Sequence, residues 1–349
     1  MHTRLSIRLI WLALICGLLL SCTPRPPETE SLSFQAFGTL VDVTLYPAGQ
    51  YDLMLLESRL GAELDQMHTR WHAWEDSPLQ VLNEALQRGE PAQAPEDLLT
   101  LIHRAQSLEQ DSDGLFNAAI GELIAAWGFH QSEPAGPPPD PAFLETWRAD
   151  PPRMAAITQL DDGRLQGQHP RLHLDFGGLA KGLALQRGQE ILQELGVEHA
   201  ILNAGGDLVT LGQPPHRAWR IGIRDPLPLG AGVLAGVPLG PQQALFSSGN
   251  YERGYTWNER WIHHVLDPRT GEPSSGVIAA TVLHTDPLLA DAAATTLMLA
   301  GAQDWPLYAE RWNLTHALVV FEDGRVAITP ALAEIIEWQR EVDVEISKQ

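Results

Sequence analysis

Short apolar segments alternate with helical segments through the second half of the chain, and this alternation restricts the fold more than any other feature of the sequence. After Leu172, runs typical of strands are separated by glycine turns and by stretches with helical periodicity, and residues 322–325 predict a hairpin turn. We therefore expect a mixed α+β domain. The G-x-G-x-x-G order is absent around Gly205 and Gly206, and Asp207 begins a strand rather than a helix, which excludes a simple Rossmann domain.

The first half of the chain contains one clear strand and two clear helices. Apolar and polar residues alternate over 40–46, which predicts a half-buried strand. Apolar residues recur at spacings of three and four over 53–71, and a second helix is expected over 96–109. Five prolines lie within 131–141 and two more at 151–152. We expect a surface segment with little regular structure there and assign it no chemistry.

The N-terminus has the pattern of an exported lipoprotein. Two arginines precede an apolar run over 9–20, which leads into Ser21 and Cys22. This predicts a signal peptide over residues 1–21, cleaved so that Cys22 carries lipid, and an uncleaved anchor is the alternative. Both interpretations place the protein at a membrane after export, and we expect the periplasmic face of the inner membrane.

The mature chain is expected to form one domain over residues 34–341, after a proline-rich tether over 22–33. Cys16 lies within the signal, so no intramolecular disulfide can form and a hydrophobic core must stabilise the domain.

The chain is strongly acidic. Its formal net charge of −21 argues against nucleic acid as a partner and against recruitment to anionic lipid by a basic patch. An acidic protein that binds phosphate groups needs a bound cation, helix N-termini or a few well-placed basic residues.

A glycine turn at 177–178 separates an expected short strand over 172–176 from a helix that continues to about Leu195 and is closed by Gly196. Glycines let backbone N–H groups approach phosphate oxygens, and Lys181 adds a positive charge in the first helical turn. The pattern favours an anion site, although a plain connection between strand and helix has the same appearance. The second glycine cluster, 203–207, equally fits a tight bend between strands.

Two further segments carry candidate chemistry. His263 and His264 are adjacent on an expected strand and should point to opposite faces, so one is expected to act and the other to support it. Asp291 and Thr295 are four residues apart on an expected helix that ends near Gly301 and share one face. Their oxygens suit Mg²⁺, although a carboxylate on a helix surface and a hydroxyl bonded to a backbone carbonyl would look the same.

Taken in order, these segments resemble the ApbE family of FAD:protein FMN transferases over nearly the whole mature chain. The resemblance also includes three earlier motifs. The motifs that carry it are residues 37–39, 77–83, 114–117, 175–182, 203–207, 247–253, 263–271 and 291–295. It implies a single mixed α/β domain of the ApbE type, similar to the T-fold.

The resemblance also implies the roles of individual residues. Mg²⁺ would be bound by Asp291, Thr295 and the carbonyl oxygen of Ala180, and His264 would act as the catalytic base. FAD would be the substrate. The side chains expected to bind it are Phe37, Trp74, Leu115, Phe116, Asn117, Asp175, Lys181 and His264.

The implied reaction moves FMN from FAD onto a threonine of an acceptor protein and releases AMP. The acceptor would carry a Ser/Thr-Gly-Ala-Thr-like segment and would be a subunit of a Na⁺-translocating quinone reductase or an Rnf-type redox complex. Two alternatives stay open, an FAD pyrophosphatase and a lipoprotein that binds FAD without turnover. The sequence departs from the family pattern at Phe37, where methionine is common, and at Asn117, where aspartate is common.

Overall fold

The computed structural model describes residues 28–227 and 232–347. The predicted signal peptide and Cys22 lie outside these residues. Among the helices that are described, none combines the length and the apolar composition needed to cross a bilayer.

The described chain contains both strands and helices. The strands are β1 (Glu30–Ala36), β2 (Thr39–Tyr46), β3 (Ile157–Gln159), β4 (Leu165–Gly167), β5 (His199–Ala204), β6 (Asp207–Leu211), β7 (Trp219–Arg224), β8 (Val233–Leu239), β9 (Ala244–Gly249), β10 (Gly254–Trp257), β11 (Arg260–His263), β12 (Val277–His284), β13 (His316–Phe321), β14 (Val326–Ile328), β15 (Glu337–Trp338) and β16 (Val344–Ile346). The helices are α1 (Leu53–Arg70), α2 (Pro78–Gln87), α3 (Glu96–Asp111), α4 (Gly121–Ala126), α5 (Pro141–Ala149), α6 (Ala180–Glu194), α7 (Pro287–Arg311) and α8 (Pro330–Ala333), with a 3₁₀ turn at Met154–Ala156.

A nine-stranded sheet forms the centre of the described structure, in the order β1-β2-β5-β6-β9-β12-β13-β14-β16. Its neighbouring strands are antiparallel except for β14 and β16. A tight turn at Phe37 and Gly38 joins β1 to β2, and both residues have positive φ, of 52° and 71°. Such a turn matches the right-handed twist of the strands it connects.

The two faces of this sheet are covered differently. Helices α1, α6 and α7 pack on one face, where alternate strand residues such as Val43, Leu202 and Phe246 enter the largest apolar core. The residues between them, such as Leu245 and Leu318, face the three-stranded sheet β15-β8-β7 on the other side. The period-two pattern of the strands therefore supplies both layers.

A third apolar cluster lies outside the large sheet. It joins α4 and α5 to the β10–β11 hairpin through side chains that include Trp127, Trp147, Tyr255 and Ile262. The expectation of a structureless surface segment over 131–152 was therefore wrong for its second part, which forms α5. Proline is tolerated at the first position of a helix, and Asp140 caps this one through its side chain.

The remaining element predictions are confirmed with three corrections, one of which is that His264 lies just beyond the strand that carries His263. Residues 172–176 are extended but form only an isolated bridge at His173, because their hydrogen bonds go to other partners. Asn83, on α2, donates to the Leu174 carbonyl oxygen at 3.0 Å and accepts from its N–H at 2.7 Å. The helix expected to end near Gly301 is interrupted there, at φ 72° and ψ −174°, and then continues to Arg311.

Candidate active site

The glycine turn and the start of α6 form the centre of the site. The Phe176 carbonyl oxygen accepts from the N–H groups of Leu179 and Ala180 at 2.8 Å, which turns the chain into the helix. A Cβ added to Gly178 would lie 3.5 Å from the Phe116 ring and 3.6 Å from Thr295 Oγ1. The turn therefore lies directly against α7, close to both Phe116 and Thr295.

The backbones of helices α6 and α7 are in direct contact at Gly182. A Cβ on Gly182 would lie 2.6 Å from the Pro287 carbonyl oxygen and 2.8 Å from Leu288 Cα, so only glycine fits there. This approach lets the Gly182 N–H donate to Asp291 Oδ2 at 2.9 Å. Asp291 is thus fixed at the N-terminal end of α6, where the helix dipole favours negative charge.

Lys181 provides positive charge at the same place. Its ammonium group pairs with the buried carboxylate of Asp207, at the start of β6. Burial alone would lower the pKa of Lys181, but Asp207 and Asp291 outweigh it and raise the pKa above its usual range. Asp207 Oδ1 also accepts from the Ser247 N–H at 2.9 Å, which connects the site to β9.

Asp291 is a buried carboxylate whose charge is incompletely compensated. Burial raises its pKa to about 7, against the opposing effect of Lys181. Its Oδ1 atom receives no hydrogen bond from the described residues, and Thr295 Oγ1 lies 3.0 Å from Ser248 Oγ. The Asp291 carboxylate and the Thr295 hydroxyl are oxygen donors suited to a hard cation such as Mg²⁺.

In the described ranges, no group of three or more His, Cys, Asp or Glu side chains could hold a metal ion. A cation here would therefore depend on one carboxylate, a hydroxyl and a backbone carbonyl, and would keep other positions for phosphate oxygens or water. The family resemblance predicts such a set in Asp291, Thr295 and the Ala180 carbonyl oxygen, and it stays a prediction.

His264 is held in one orientation by the carbonyl oxygen of Arg253. The backbone N–H of His264 donates to this oxygen at 3.2 Å and Nδ1 lies 3.1 Å from it. A carbonyl only accepts, so the proton is on Nδ1 and Nε2 of the neutral ring carries a lone pair. Burial lowers the pKa of His264 to about 4, and the positive charges of Arg253 and Lys181 contribute. The ring is therefore a neutral base at physiological pH.

His263 and His264 separate as expected, although only His263 belongs to β11. His263 is buried and its Nε2 lies 3.1 Å from the Ser274 carbonyl oxygen. Burial also lowers its pKa. It thus fixes the segment that follows the hairpin, which is a supporting position.

Trp74 and Asp175 form a second wall of the site. Trp74 Nε1 donates to Asp175 Oδ2 at 2.9 Å, and the indole stacks on His173 at a centroid distance of 4.3 Å. Asp175 Oδ1 accepts from the Gly177 N–H at 2.8 Å, so this wall is bonded to the glycine turn. A half-buried aromatic plane beside a polar turn suits a planar ligand ring.

Three of the predicted FAD-binding side chains are engaged elsewhere. Leu115 is 1% exposed in the main core. The Asn117 side chain donates to the Pro152 carbonyl oxygen and accepts from the Ala119 N–H. Phe37 stacks on Trp71 at 5.9 Å. Leu115 and Asn117 are therefore buried supports of this segment, whereas Phe37 belongs to the β1–β2 turn.

Sequence reasoning did not assign individual roles to Asp207, Ser247, Ser248 or Arg253, although each lies within a motif that it quoted. The signal that could have identified Asp207 is an acidic residue at the start of an otherwise apolar strand, where burial demands a cationic partner.

Comparisons with known proteins identify the family. The sequence profile described as the ApbE family matches residues 37–319. An FAD:protein FMN transferase from Rhodobacter capsulatus is 36% identical over 330 residues, which cover 93% of this chain and 62% of that protein. An FAD:protein FMN transferase from Vibrio cholerae is 27% identical, over 90% of this chain and 94% of its own length.

A solved structure gives the same result. The crystal structure of the ApbE protein from Thermotoga maritima superposes with a TM-score of 0.80 at 25% identity, and the match covers 90% of this chain and all of that one. The profile match spans most of the chain and includes Lys181, His264 and Asp291. The chain belongs to the ApbE family.

Proposed function

We propose that this protein is an FAD:protein FMN transferase. It moves FMN from FAD to a threonine hydroxyl of an acceptor protein, releases AMP, and requires Mg²⁺ bound in its active site. The observation that carries the proposal is the orientation of His264, whose Nδ1 is bonded to the Arg253 carbonyl oxygen so that Nε2 is a free base. The names of the relatives from Rhodobacter capsulatus and Vibrio cholerae support the substrate.

In the proposed reaction, His264 Nε2 accepts the proton of the threonine hydroxyl. A threonine hydroxyl is a poor nucleophile near neutral pH, so its deprotonation needs a positioned base. The threonine Oγ then forms a bond to the phosphorus of the FMN half of FAD. The bond between that phosphorus and the bridging oxygen breaks, and the electron pair leaves on AMP.

The N-terminal end of α6 stabilises the phosphates. Lys181 contributes a positive charge at this end of the helix, where the helix dipole also favours an anion. Asp291, Thr295 and the Ala180 carbonyl oxygen would hold Mg²⁺, which supplies neutralisation of the phosphate charge when bound. The free Oδ1 of Asp291 and its raised pKa support this assignment, because both fit a carboxylate that faces a cation.

The wall formed by Trp74 and Asp175 is assigned to a ring of FAD. The hydrogen bond between them holds the indole, which limits the conformational entropy that binding would otherwise remove. Phe116 closes the pocket beside the glycine turn.

The setting of the reaction is proposed from the sequence. A lipid on Cys22 would hold the enzyme near acceptor subunits of an exported redox complex, such as a Na⁺-translocating quinone reductase or an Rnf-type complex. Tethering raises the effective concentration of the enzyme near such an acceptor.

A single assay tests the proposal. The full-length protein in detergent is incubated with FAD and Mg²⁺, with and without a peptide that carries the Ser/Thr-Gly-Ala-Thr-like segment, and AMP and peptide mass are measured. We expect AMP release together with an FMN adduct on the peptide. Both should be lost in His264→Ala and retained in His103→Ala, a control at an exposed histidine of α3.

Two other outcomes would contradict the transferase. Release of AMP without labelled peptide would identify an FAD pyrophosphatase. Bound FAD without any AMP would identify a flavin-binding protein that does not turn over.

A further inference from the structure

The loop between α4 and α5, residues 127–140, contacts both walls of the active site. We call it the bridging loop. The Phe129 ring meets the His264 ring edge-on, at a centroid distance of 6.4 Å and an angle of 68°. The next residue, His130, lies 5.5 Å from the ring of Trp74. The carbonyl oxygen of Gln131 accepts a hydrogen bond from the Arg253 guanidinium.

The bridging loop is anchored on its own side. Gly128 has a φ of 79°, and a Cβ there would lie 2.7 Å from the Ala135 carbonyl oxygen, so the loop folds back on itself between these two residues. The Phe129 N–H donates to the Ile124 carbonyl oxygen at 2.9 Å, and its ring is 3% exposed in the apolar cluster with Tyr255. The position of Phe129 is therefore fixed, and its ring can restrain the imidazole of His264.

Two contacts of the bridging loop restrain His264, one directly and one through Arg253. Phe129 packs against the imidazole, while Gln131 holds Arg253, whose own carbonyl oxygen fixes Nδ1. The charged or titratable groups that face the imidazole are Arg253, His263 and Lys181. None of these groups is a carboxylate, so the uncharged form of His264 depends on these positive charges and on the apolar cover.

We propose that the bridging loop positions the catalytic histidine, with Phe129 supporting the imidazole and excluding water from it and Gln131 fixing the arginine whose carbonyl oxygen orients it. Phe129 is a positioning residue in this account, since it is buried and acts through its contact with His264. The inference rests on the proposed role of His264 as the base and adds the element that keeps this base neutral and aligned.

The test compares Phe129→Leu with Phe143→Leu in the full-length protein. Phe143 packs on Trp147 beside the same apolar cluster, at 6.2 Å, and no ring contact joins it to His264. Two quantities are measured, the pKa of His264 by NMR titration, assigned with His264→Gln, and the steady-state rate of AMP release from FAD. Circular dichroism checks that each variant is folded.

We expect Phe129→Leu to raise the pKa of His264 by about one unit or more as water reaches the ring. We expect kcat to fall about tenfold because the base is less well aligned, with an unchanged KM for FAD. The acid limb of the pH profile should move with the NMR value. Phe143→Leu should leave all of these at the wild-type values. If Phe129→Leu does not fold, Phe129→Met replaces it, since methionine keeps most of the volume.

An unchanged pKa and kcat in a folded Phe129 variant would overturn the inference. Equal shifts in the Phe129 and Phe143 variants would also overturn it, because they would reveal general loosening of the cluster. A wild-type protein that releases no AMP would instead refute the proposed function. The NMR titration would then still decide whether Phe129 controls His264.

Discussion

Replacing Gly182 by alanine should separate the two helices that build the active site. In most helices this change stabilises the protein by up to about 1 kcal/mol. At Gly182 the new Cβ would meet the backbone of Pro287 and Leu288 at 2.6 to 2.9 Å, and backbone atoms cannot rotate away as a side chain can. Helix α6 must therefore move away from α7, which stretches the hydrogen bond from Gly182 to Asp291.

The magnitude follows from three contributions. Overpacking of a close contact costs about 1 to 3 kcal/mol, and loss of a hydrogen bond to a charged group costs about 1.5 to 3 kcal/mol. The helix propensity of alanine offsets about 1 kcal/mol of this. We expect Gly182→Ala to lower the free energy of unfolding by about 3 kcal/mol and to weaken the dependence of turnover on Mg²⁺.

Gly61 provides the matched control, since it lies inside α1 and its added Cβ would meet only the half-buried Phe34 ring at 3.4 Å. Urea unfolding followed by circular dichroism should show Gly61→Ala equal to or more stable than wild type. AMP release at increasing Mg²⁺ should show a higher half-saturating concentration for Gly182→Ala alone. Equal stability of the two variants would refute the argument that this contact requires glycine.

Three further predictions follow from the site. Because the pKa of His264 is near 4, kcat/KM for FAD at saturating Mg²⁺, where the metal keeps Asp291 ionised, should stay level down to about pH 5, and a fall centred near pH 6.5 would contradict this. The pKa of Asp291 in the folded protein is raised to about 7, above its unfolded value, so stability is lost as the pH rises towards and through 7. The metal-free protein should therefore melt at a lower temperature at pH 8 than at pH 6. Added Mg²⁺ should remove this difference. Asn83→Leu should cost about 2 to 4 kcal/mol in urea unfolding because two buried backbone groups of Leu174 lose their partners, whereas the exposed Val81→Ala on the same helix should change little.

Local sequence patterns predicted most of the secondary structure. The alternation over 40–46 became β2, and the spacing over 53–71 became α1, because each element buries one face in the core. The hairpin at 322–325 is also present, with Gly324 at a φ of 87°. These features depend on neighbours in the chain, which a sequence displays directly.

Proline-rich segments were harder to interpret. Pro141 starts α5 rather than breaking it, since the ring is tolerated at the first helical position and Asp140 supplies the cap. Likewise, Gly301 interrupts α7 without ending it, because Trp305 and Tyr308 beyond it are buried. In both places the tertiary core outweighed the local preference.

The sequence pointed to individual residues of the candidate site but not to the contacts between them. The partner of Lys181 is Asp207, 26 residues further along, and Thr295 on α7 contacts Ser248 on β9. Such pairs arise where turns from separate elements converge in space. A single sequence contains no periodic signal for that convergence.

The histidine at the centre of the proposed chemistry follows a two-stranded hairpin that shares no backbone pairing with the nine-stranded sheet in the described structure. A hairpin of this size has little stability of its own and depends on the apolar cluster around Trp127 and Trp147. Substitutions in the hairpin or in this cluster can therefore move His264 relative to Lys181 and Asp291 without changing the strand pairing of the large sheet.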